Sequence, residues 1–434
     1  MSTPLPPDAP ASPDADVIVV GGGPAGATIA TLLARQGRQV LLFEKARHPR
    51  FHIGESLLPA NVPLLEELGV REPVDTIGMP KWGVEFVSAE HPQPAYIEFA
   101  DAWDKSQPKA WQVRRAEFDE ILLRNAEAAG ARVLEQTAVT GASFDAEGVT
   151  VETRGEPGPR RWRGRYLVDA SGRDALLATQ LGWKQRNRRH NSAALFAHFR
   201  GARRLPGRRE GNISIFWFRH GWFWFIPLAD GSTSVGAVCW PEYLKSRRVP
   251  LAQFLRDTIA QVPALAQRLE GASLVDDKVW ATGNYSYSAR RCTGERFMLL
   301  GDAHGFIDPV FSSGVYLAMV SAFEGVRVVE AALDQPARYA AECRRFGRVV
   351  AHGPRQFSWF IHRMTNPAIR ELFMHPANPL RMQEAVLSVL SVKILASMVA
   401  VNRSNRDDIG EVNKFSFHLG WSQFAHSSGA ASVV

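Results

Sequence analysis

Apolar residues along the chain change their period several times, and each change marks an element. Residues 16–20, DVIVV, form a short β-branched run that predicts a buried strand. The glycine-rich stretch GGGPAG follows at 21–26, and then ATIATLLARQG, whose apolar positions recur three and four apart, predicts a helix. Residues 39–43 predict a second strand ending at Glu44, and residues 297–302, FMLLGD, an apolar strand stopping at Gly301 and Asp302. Residues 221–228 read GWFWFIPL. Strand alternation puts Trp222, Trp224 and Ile226 on one face and Phe223, Phe225 and Pro227 on the other. Such a stretch is a strand buried on both faces, or a bulky wall beside something reactive; alone it does not choose. The longest apolar run, 385–401, carries Lys393 at its middle and is short for a membrane span. A buried or groove-lining helix fits it better, with peripheral membrane contact as the alternative.

Composition narrows the class. A chain of 434 residues with 45% hydrophobic and 22% charged residues is an ordinary globular composition, with room for two or three domains or one with an insertion. Cys239, Cys292 and Cys343 show no CxxC spacing, which argues against a disulfide framework or a zinc site and for a reducing, cytoplasmic setting. Residues 1–15, rich in proline and acids, lack the basic and apolar pattern of an export signal and read as a disordered leader. The net charge of +7 includes two basic clusters, KQRNRRH at 184–190 and RRLPGRR at 203–209. They read as solvated loops, or as a field that steers in an acidic partner. No nucleic-acid motif accompanies them.

The order strand, glycine turn, helix, strand, acid at 16–44 is a complete dinucleotide fingerprint. Gly21 permits the tight turn, Gly23 lets backbone approach a pyrophosphate, and Gly26 lets helix pack on strand. The pyrophosphate would meet the helix N-terminus, and Glu44 can hold both ribose hydroxyls. A second element separates FAD from NAD. The apolar strand ending at Gly301-Asp302, followed by a Ser/Gly-rich helix start, offers a carboxylate to a ribityl chain. Between the two lie Arg115-Ala-Glu-Phe-Asp119, opening a helix, and Val168-Asp-Ala-Ser-Gly172.

Together these stretches resemble the flavin monooxygenase superfamily of the p-hydroxybenzoate hydroxylase type over about residues 15–335. The resemblance implies an α/β fold: a discontinuous Rossmann-type FAD-binding domain at 16–78, 110–190 and 280–335. A β-rich substrate region would occupy 79–109 and 191–279, and a mainly helical region, 336–434, would cover the substrate side. Within the superfamily, four stretches resemble flavin-dependent halogenases. Trp222, Trp224, Ile226 and Pro227 match a WxWxIP signature, and Phe306 to Gly314 resembles an FxxPxxSxG segment lying against the flavin. Lys81, within MPKWGVEF, resembles the lysine of a KxGxxF element, and PRFHIGES at 49–56 resembles a strap over FAD that reductase relatives share.

The implied FAD contacts are Gly21, Gly23, Pro24, Ala25, Gly26, Glu44 and Lys45; Gly54, Glu55 and Ser56 of the strap; Arg115; Asp169 and Gly172; Gly301 and Asp302; and Pro309 and Gly314. The implied chemistry begins with FADH2 from a separate flavin reductase and O2, which form a flavin C4a-hydroperoxide. Chloride or bromide, held by the backbone of Ser312, Ser313 and Gly314, attacks it to give hypohalous acid, which reaches Lys81. Taken alone, Lys81 would be an exposed loop lysine, and the serines an ordinary helix cap. His52 and His304 read as structural. Free-tryptophan halogenases carry an acid before the Ser/Thr-Ser/Thr-Gly step, where this chain has Phe311. That departure resembles the branch acting on electron-rich phenols or pyrroles in secondary metabolite biosynthesis, often tethered to an acyl or peptidyl carrier protein. Rivals are an aromatic monooxygenase, a reductase of the geranylgeranyl reductase type, and a catalytically silent flavin-binding assembly protein. Phe357, Trp359, Phe360, Phe373 and Met374 read as core or as lining of the substrate pocket.

Overall fold

The computed structural model describes residues 13–102, 106–156, 158–186, 192–283, 286–306, 309–364, 371 and 374, with backbone alone for 309 and 356–364. Two sheets organise them. The first has seven strands in the order Arg132–Leu134, Val40–Phe43, Ala15–Val20, Arg160–Asp169, Val149–Arg154 and Ala138–Phe144, with Phe297–Leu299 also pairing Arg160–Asp169. The long strand Arg160–Asp169 forks the sheet. Its first half runs antiparallel to Val149–Arg154, and its last three residues run parallel to Phe297–Leu299. That fork brings the end of the Gly301-Asp302 strand beside the glycine turn, although some 280 residues separate them in sequence. Both parallel neighbours of Val17–Val20 are apolar runs buried on both faces, which is why no alternation shows in them.

The second sheet has eight strands: Ser273–Leu274, Ala193–Arg200, Ser232–Cys239, Gly221–Pro227, Ile213–Phe218, Gly83–Ser88 and Ala95–Glu98, with Trp280–Gly283 pairing Ala193–Arg200. Gly221–Pro227, the tryptophan strand, is central, and every residue in it is buried. Phe223 and Phe225 pack under the helices Leu251–Ala260 and Pro263–Arg268, while Trp222, Trp224 and Ile226 face the opposite core. The helix Gly314–Asp334 lies on the first sheet beside the helix Pro24–Arg35, and Pro336–Met364 packs on it. A small two-stranded ladder joins Met79–Lys81, the lysine strand, to Ala110–Gln112, the bridging strand.

Two expected boundaries shift. Trp280–Gly283, expected in the FAD-binding domain, pairs with Ala193–Arg200 and belongs to the substrate sheet. Asp14 and Ala15, expected in the leader, already bond and pair with Arg163 and Gly164 of the first sheet. The cover expected at 336–434 is a helix as far as Met364. The run 385–401 and the side chains of Phe357, Trp359, Phe360 and Phe373 lie outside the described residues. Met374 is buried in the core that also holds the two tryptophans. Among the described residues, no helix is long and apolar enough to cross a membrane.

Candidate active site

A cavity of about 480 Å³ runs from the glycine turn to the tryptophan strand. At its nucleotide end the backbone does the shaping. A Cβ on Gly26 would stand 1.8 Å from the Gly21 carbonyl oxygen, and one on Gly21, at φ 101°, would stand 2.4 Å from the Ala170 oxygen. A Cβ on Gly23 would meet only the Arg50 guanidinium at 3.6 Å, so the space above Gly23 is kept for a ligand rather than for packing. Gly23 caps the helix Pro24–Arg35, whose first residues Pro24 and Ala25 also line the cavity. Glu44, 4% exposed, accepts the Gly22 and Ala46 N–H groups at 2.8 Å each. A carboxylate has about four acceptor sites, so lone pairs remain for a ribose. Lys45 pairs with Asp174 at the exposed rim.

The strap is pinned from both sides. Arg115 forms a double bond pair with Asp119, Nε to Oδ1 at 2.7 Å, and gives its third arm to the Ile53 carbonyl at 2.9 Å. Arg50, from the strap, reaches Asp119 at 3.2 Å and also lines the cavity. Gly54, at φ 104°, turns the chain beside Arg115. Glu55, which lines the cavity, is 2% exposed; its Oε1 meets His198 Nε2 at 2.9 Å, while its buried Oε2 has no partner among the described residues. An unpartnered buried carboxylate oxygen is costly, and a ligand N–H or O–H satisfies it. Asp302 lines the cavity too, its carboxyl pushed up to about 6 by desolvation against the pull of Arg115 and Arg173. The Arg173 Nε is a second unpartnered group at the cavity.

At the far end, Trp222 and Trp224 line the wall with ring centroids 6.1 Å apart, and Trp224 Nε1 donates to Ser234 Oγ at 3.1 Å. Gly236 lies under the Trp224 ring, where a Cβ would stand 2.2 Å away. Ile226 lines the same wall, whereas Pro227 is buried in the strand and does not. Ser312, Ser313 and Gly314 also border the cavity, at the start of a 21-residue helix. Ser312 holds φ at 56°, a left-handed conformation that costs a non-glycine residue roughly 1 kcal/mol. Ser313 caps the helix without a side-chain bond, so the cap role expected of a serine is not taken by its hydroxyl. Pro309 stands in the preceding turn Pro309–Phe311. Phe311 is 4% exposed in the tryptophan core.

Lys81 is 1% exposed and does not itself line the cavity, although its partner Ser56 does. Its Nζ donates to Ser56 Oγ at 2.9 Å and to the Leu57 carbonyl at 3.1 Å, and sits 5.3 Å from the Phe99 ring centroid. Burial without a charged neighbour pushes the amine down to about 7. His52 is pushed down to about 4 by burial and by Arg115, and burial lowers His304. Both are neutral near pH 7.

The FAD binding domain family matches residues 14–350. A tryptophan 2-halogenase of Chondromyces crocatus is 36% identical over 322 residues, covering 70% of this chain and 59% of that protein. The solved structure of the myxobacterial chondrochloren halogenase CndH is 32% identical, with a TM-score of 0.75 over 88% of this chain and 92% of that one. The chain belongs to the flavin-dependent halogenases. A flavoprotein/dehydrogenase of Cytophaga hutchinsonii also superposes, at a TM-score of 0.80 and 27% identity over 90% of this chain and 100% of that one. This halogenase-family chain spans about three fifths of the Chondromyces relative's length, 59%.

The fit to FAD rests on the protein itself: the open space over Gly23, the unpartnered Glu55 and Arg173 atoms, and the raised Asp302 carboxyl all await polar groups. Most expected contacts line the one cavity. Asp169 and Gly26 do not, and the side chain of Pro309 lies outside the described residues. Asp169 spends both oxygens on the Ser171 and Leu177 N–H groups of its own turn, which presents Gly172 and Arg173. Ser56, expected as an FAD contact, lines the cavity and binds Lys81 as well. Arg50, Arg173 and His198 were not singled out from the sequence. Arg50 lies within the strap motif and Arg173 directly after Gly172, so adjacency offered a hint; His198 offered none. The cluster 203–209 is largely exposed but paired: Arg203, Arg204 and Arg209 pair with Glu270, Glu210 and Glu98, and Arg208 lies over the Trp82 ring at 4.0 Å.

Proposed function

We propose that this halogenase-family protein uses FADH2 from a partner reductase, O2 and chloride or bromide to halogenate an electron-rich phenol or pyrrole. The substrate is taken free or on an acyl or peptidyl carrier protein. Bound FADH2 would supply two electrons and two protons, with which O2, a halide ion and one further proton become hypohalous acid and water. The chain's own residues do the rest. Helix-start amides at Ser312, Ser313 and Gly314 offer donors to a halide, with Phe311 standing where an acid would compete. Trp222, Trp224 and Ile226 keep an organic ring off the flavin side of the wall.

The observation that carries the reading is Lys81. A neutral amine has two N–H bonds, and Ser56 Oγ and the Leu57 carbonyl accept two. The lone pair is then free, and an apolar pocket favours the neutral form. This amine displaces hydroxide from hypohalous acid: the N–halogen bond forms, the O–halogen bond breaks, and the amine's proton leaves with hydroxide as water. The arene then takes the halogen and returns its ring proton to the nitrogen. Phenol and pyrrole rings suit this site because oxygen or nitrogen already donates electrons into the ring. The test is incubation with FAD, a flavin reductase, NADH, bromide and phenols or pyrroles, free and carrier-loaded. Mass spectrometry should show brominated arene. Hydroxylated product alone would overturn the reading.

The likeness to the Cytophaga flavoprotein favours one second reading, an oxidoreductase that takes hydride directly from NADPH. NADPH oxidation by the purified protein without added reductase distinguishes it.

A further inference from the structure

The Lys81 Nζ bonds no group of its own strand or of the strand it pairs with among the described residues. Both acceptors of its Nζ, Ser56 Oγ and the Leu57 carbonyl, come from the end of the strap. The bridging strand explains the arrangement. On one edge it pairs with the lysine strand, Lys81 opposite Ala110 and Met79 opposite Gln112. On its other edge it holds the strap: Ser56 pairs with Gln112, the Leu57 N–H donates to the Trp111 carbonyl at 2.9 Å, and the Val113 N–H donates to the Glu55 carbonyl at 2.7 Å. The lysine side chain therefore crosses the bridging strand, where the residue opposite is alanine, buried and small enough to let it pass. Ser56 is the residue that borders the flavin cavity and also bonds Lys81. Its neighbours in the strap are clamped, Ile53 by Arg115 and Glu55 by His198.

We infer that Ser56 is the positioning residue for Lys81, the joint by which the strap beside the flavin cavity holds the amine at the wall. The inference rests on the reading of Lys81 given above. Among the described residues the groups facing the amine are the Ser56 hydroxyl, the Leu57 carbonyl and the Phe99 ring, and no charged group of any packed element acts on it. The strap hydroxyl is thus the one side-chain acceptor that can set its direction. It also favours the protonated form, since an acceptor stabilises an ammonium more than an amine. Losing it leaves one N–H without a partner and lets the amine swing from the wall.

The test uses the full chain loaded with reduced FAD, with bromide, a phenol substrate, and monochlorodimedone to trap any hypohalous acid that escapes. In Ser56→Ala, arene bromination should fall about tenfold, the order of one lost buried hydrogen bond. The trapped fraction should rise, and the limb of the pH–rate profile that belongs to Lys81 should move down by about one pH unit. Ser56→Thr, which restores the hydroxyl, should recover ratio and limb together. Where Ser56→Ala does not fold, Ser56→Cys carries the same expectation, since sulfur is a weak acceptor. A variant without the hydroxyl that keeps the wild-type product-to-trap ratio and the wild-type limb would overturn the inference. Lys81→Ala run alongside separates the two claims: full arene bromination there sinks the role of Lys81 itself.

Discussion

The nucleotide end of the cavity and the lysine corner are built by opposite means. At the nucleotide end, absence does the shaping: glycines leave room, and backbone amides and a helix start face the ligand. At the lysine corner, presence does it. One long lysine side chain, 1% exposed, is satisfied by two strap acceptors drawn from another segment. The first region gains stability from its own packing. The second holds a group whose burial works against folding, which is the usual mark of a residue retained for chemistry.

Substitutions in the two regions should therefore fail differently. Gly26→Val should abolish folded, FAD-loaded protein, because a side chain cannot share space with the Gly21 carbonyl 1.8 Å away; the loss should exceed about 4 kcal/mol. Absorbance of copurified flavin reads it. Trp224→Ala should cost about 3–5 kcal/mol by denaturant midpoint, since the ring is 6% exposed and packed over Gly236. If the wall excludes substrate, hydroxylated product should also appear beside the halogenated one. An unchanged product ratio would leave Trp224 a packing residue only.

Lys81→Met should do the reverse and stabilise the fold by about 2 kcal/mol near neutral pH. The folded amine is held at about 7, well below its unfolded value. Between those two values the unfolded chain binds the extra proton, so wild-type stability rises with pH there. Below about 7 the full penalty is present. The methionine variant should lose that slope, and urea midpoints across the pH range measure it. Arg208→Glu, outside both regions, should change stability by only about 0.5 kcal/mol, the worth of its exposed contact with the Trp82 ring.

The same contrast decides what could be read from the chain. The fingerprint at 16–44 is local: turn, helix and acid lie within thirty positions, and the physics of each glycine acts on its near neighbours. The alternation of GWFWFIPL likewise told the two faces apart, with phenylalanines under helices and tryptophans on the cavity. The strand that periodicity left undecided is buried on both faces, and its tryptophan face also lines the cavity. The Lys81 corner was visible only as a resemblance, because its partners Ser56 and Leu57 lie 25 and 24 positions away and meet it across a third strand. His198 opposite Glu55 is more distant still, 143 positions. The domain boundary at 280 misplaced Trp280–Gly283 for a related reason: a short edge strand takes its sheet from its partner, not from its own pattern.

The role of Lys81 is the point on which the account stands. The direct measurement compares wild type and Lys81→Ala, each supplied with reduced FAD, O2, bromide, an electron-rich phenol and monochlorodimedone. The account predicts brominated phenol from wild type. From the variant it predicts bromination of the trap with the phenol product reduced on the order of 10²-fold or more. Phenol bromination by Lys81→Ala at the wild-type rate would contradict it.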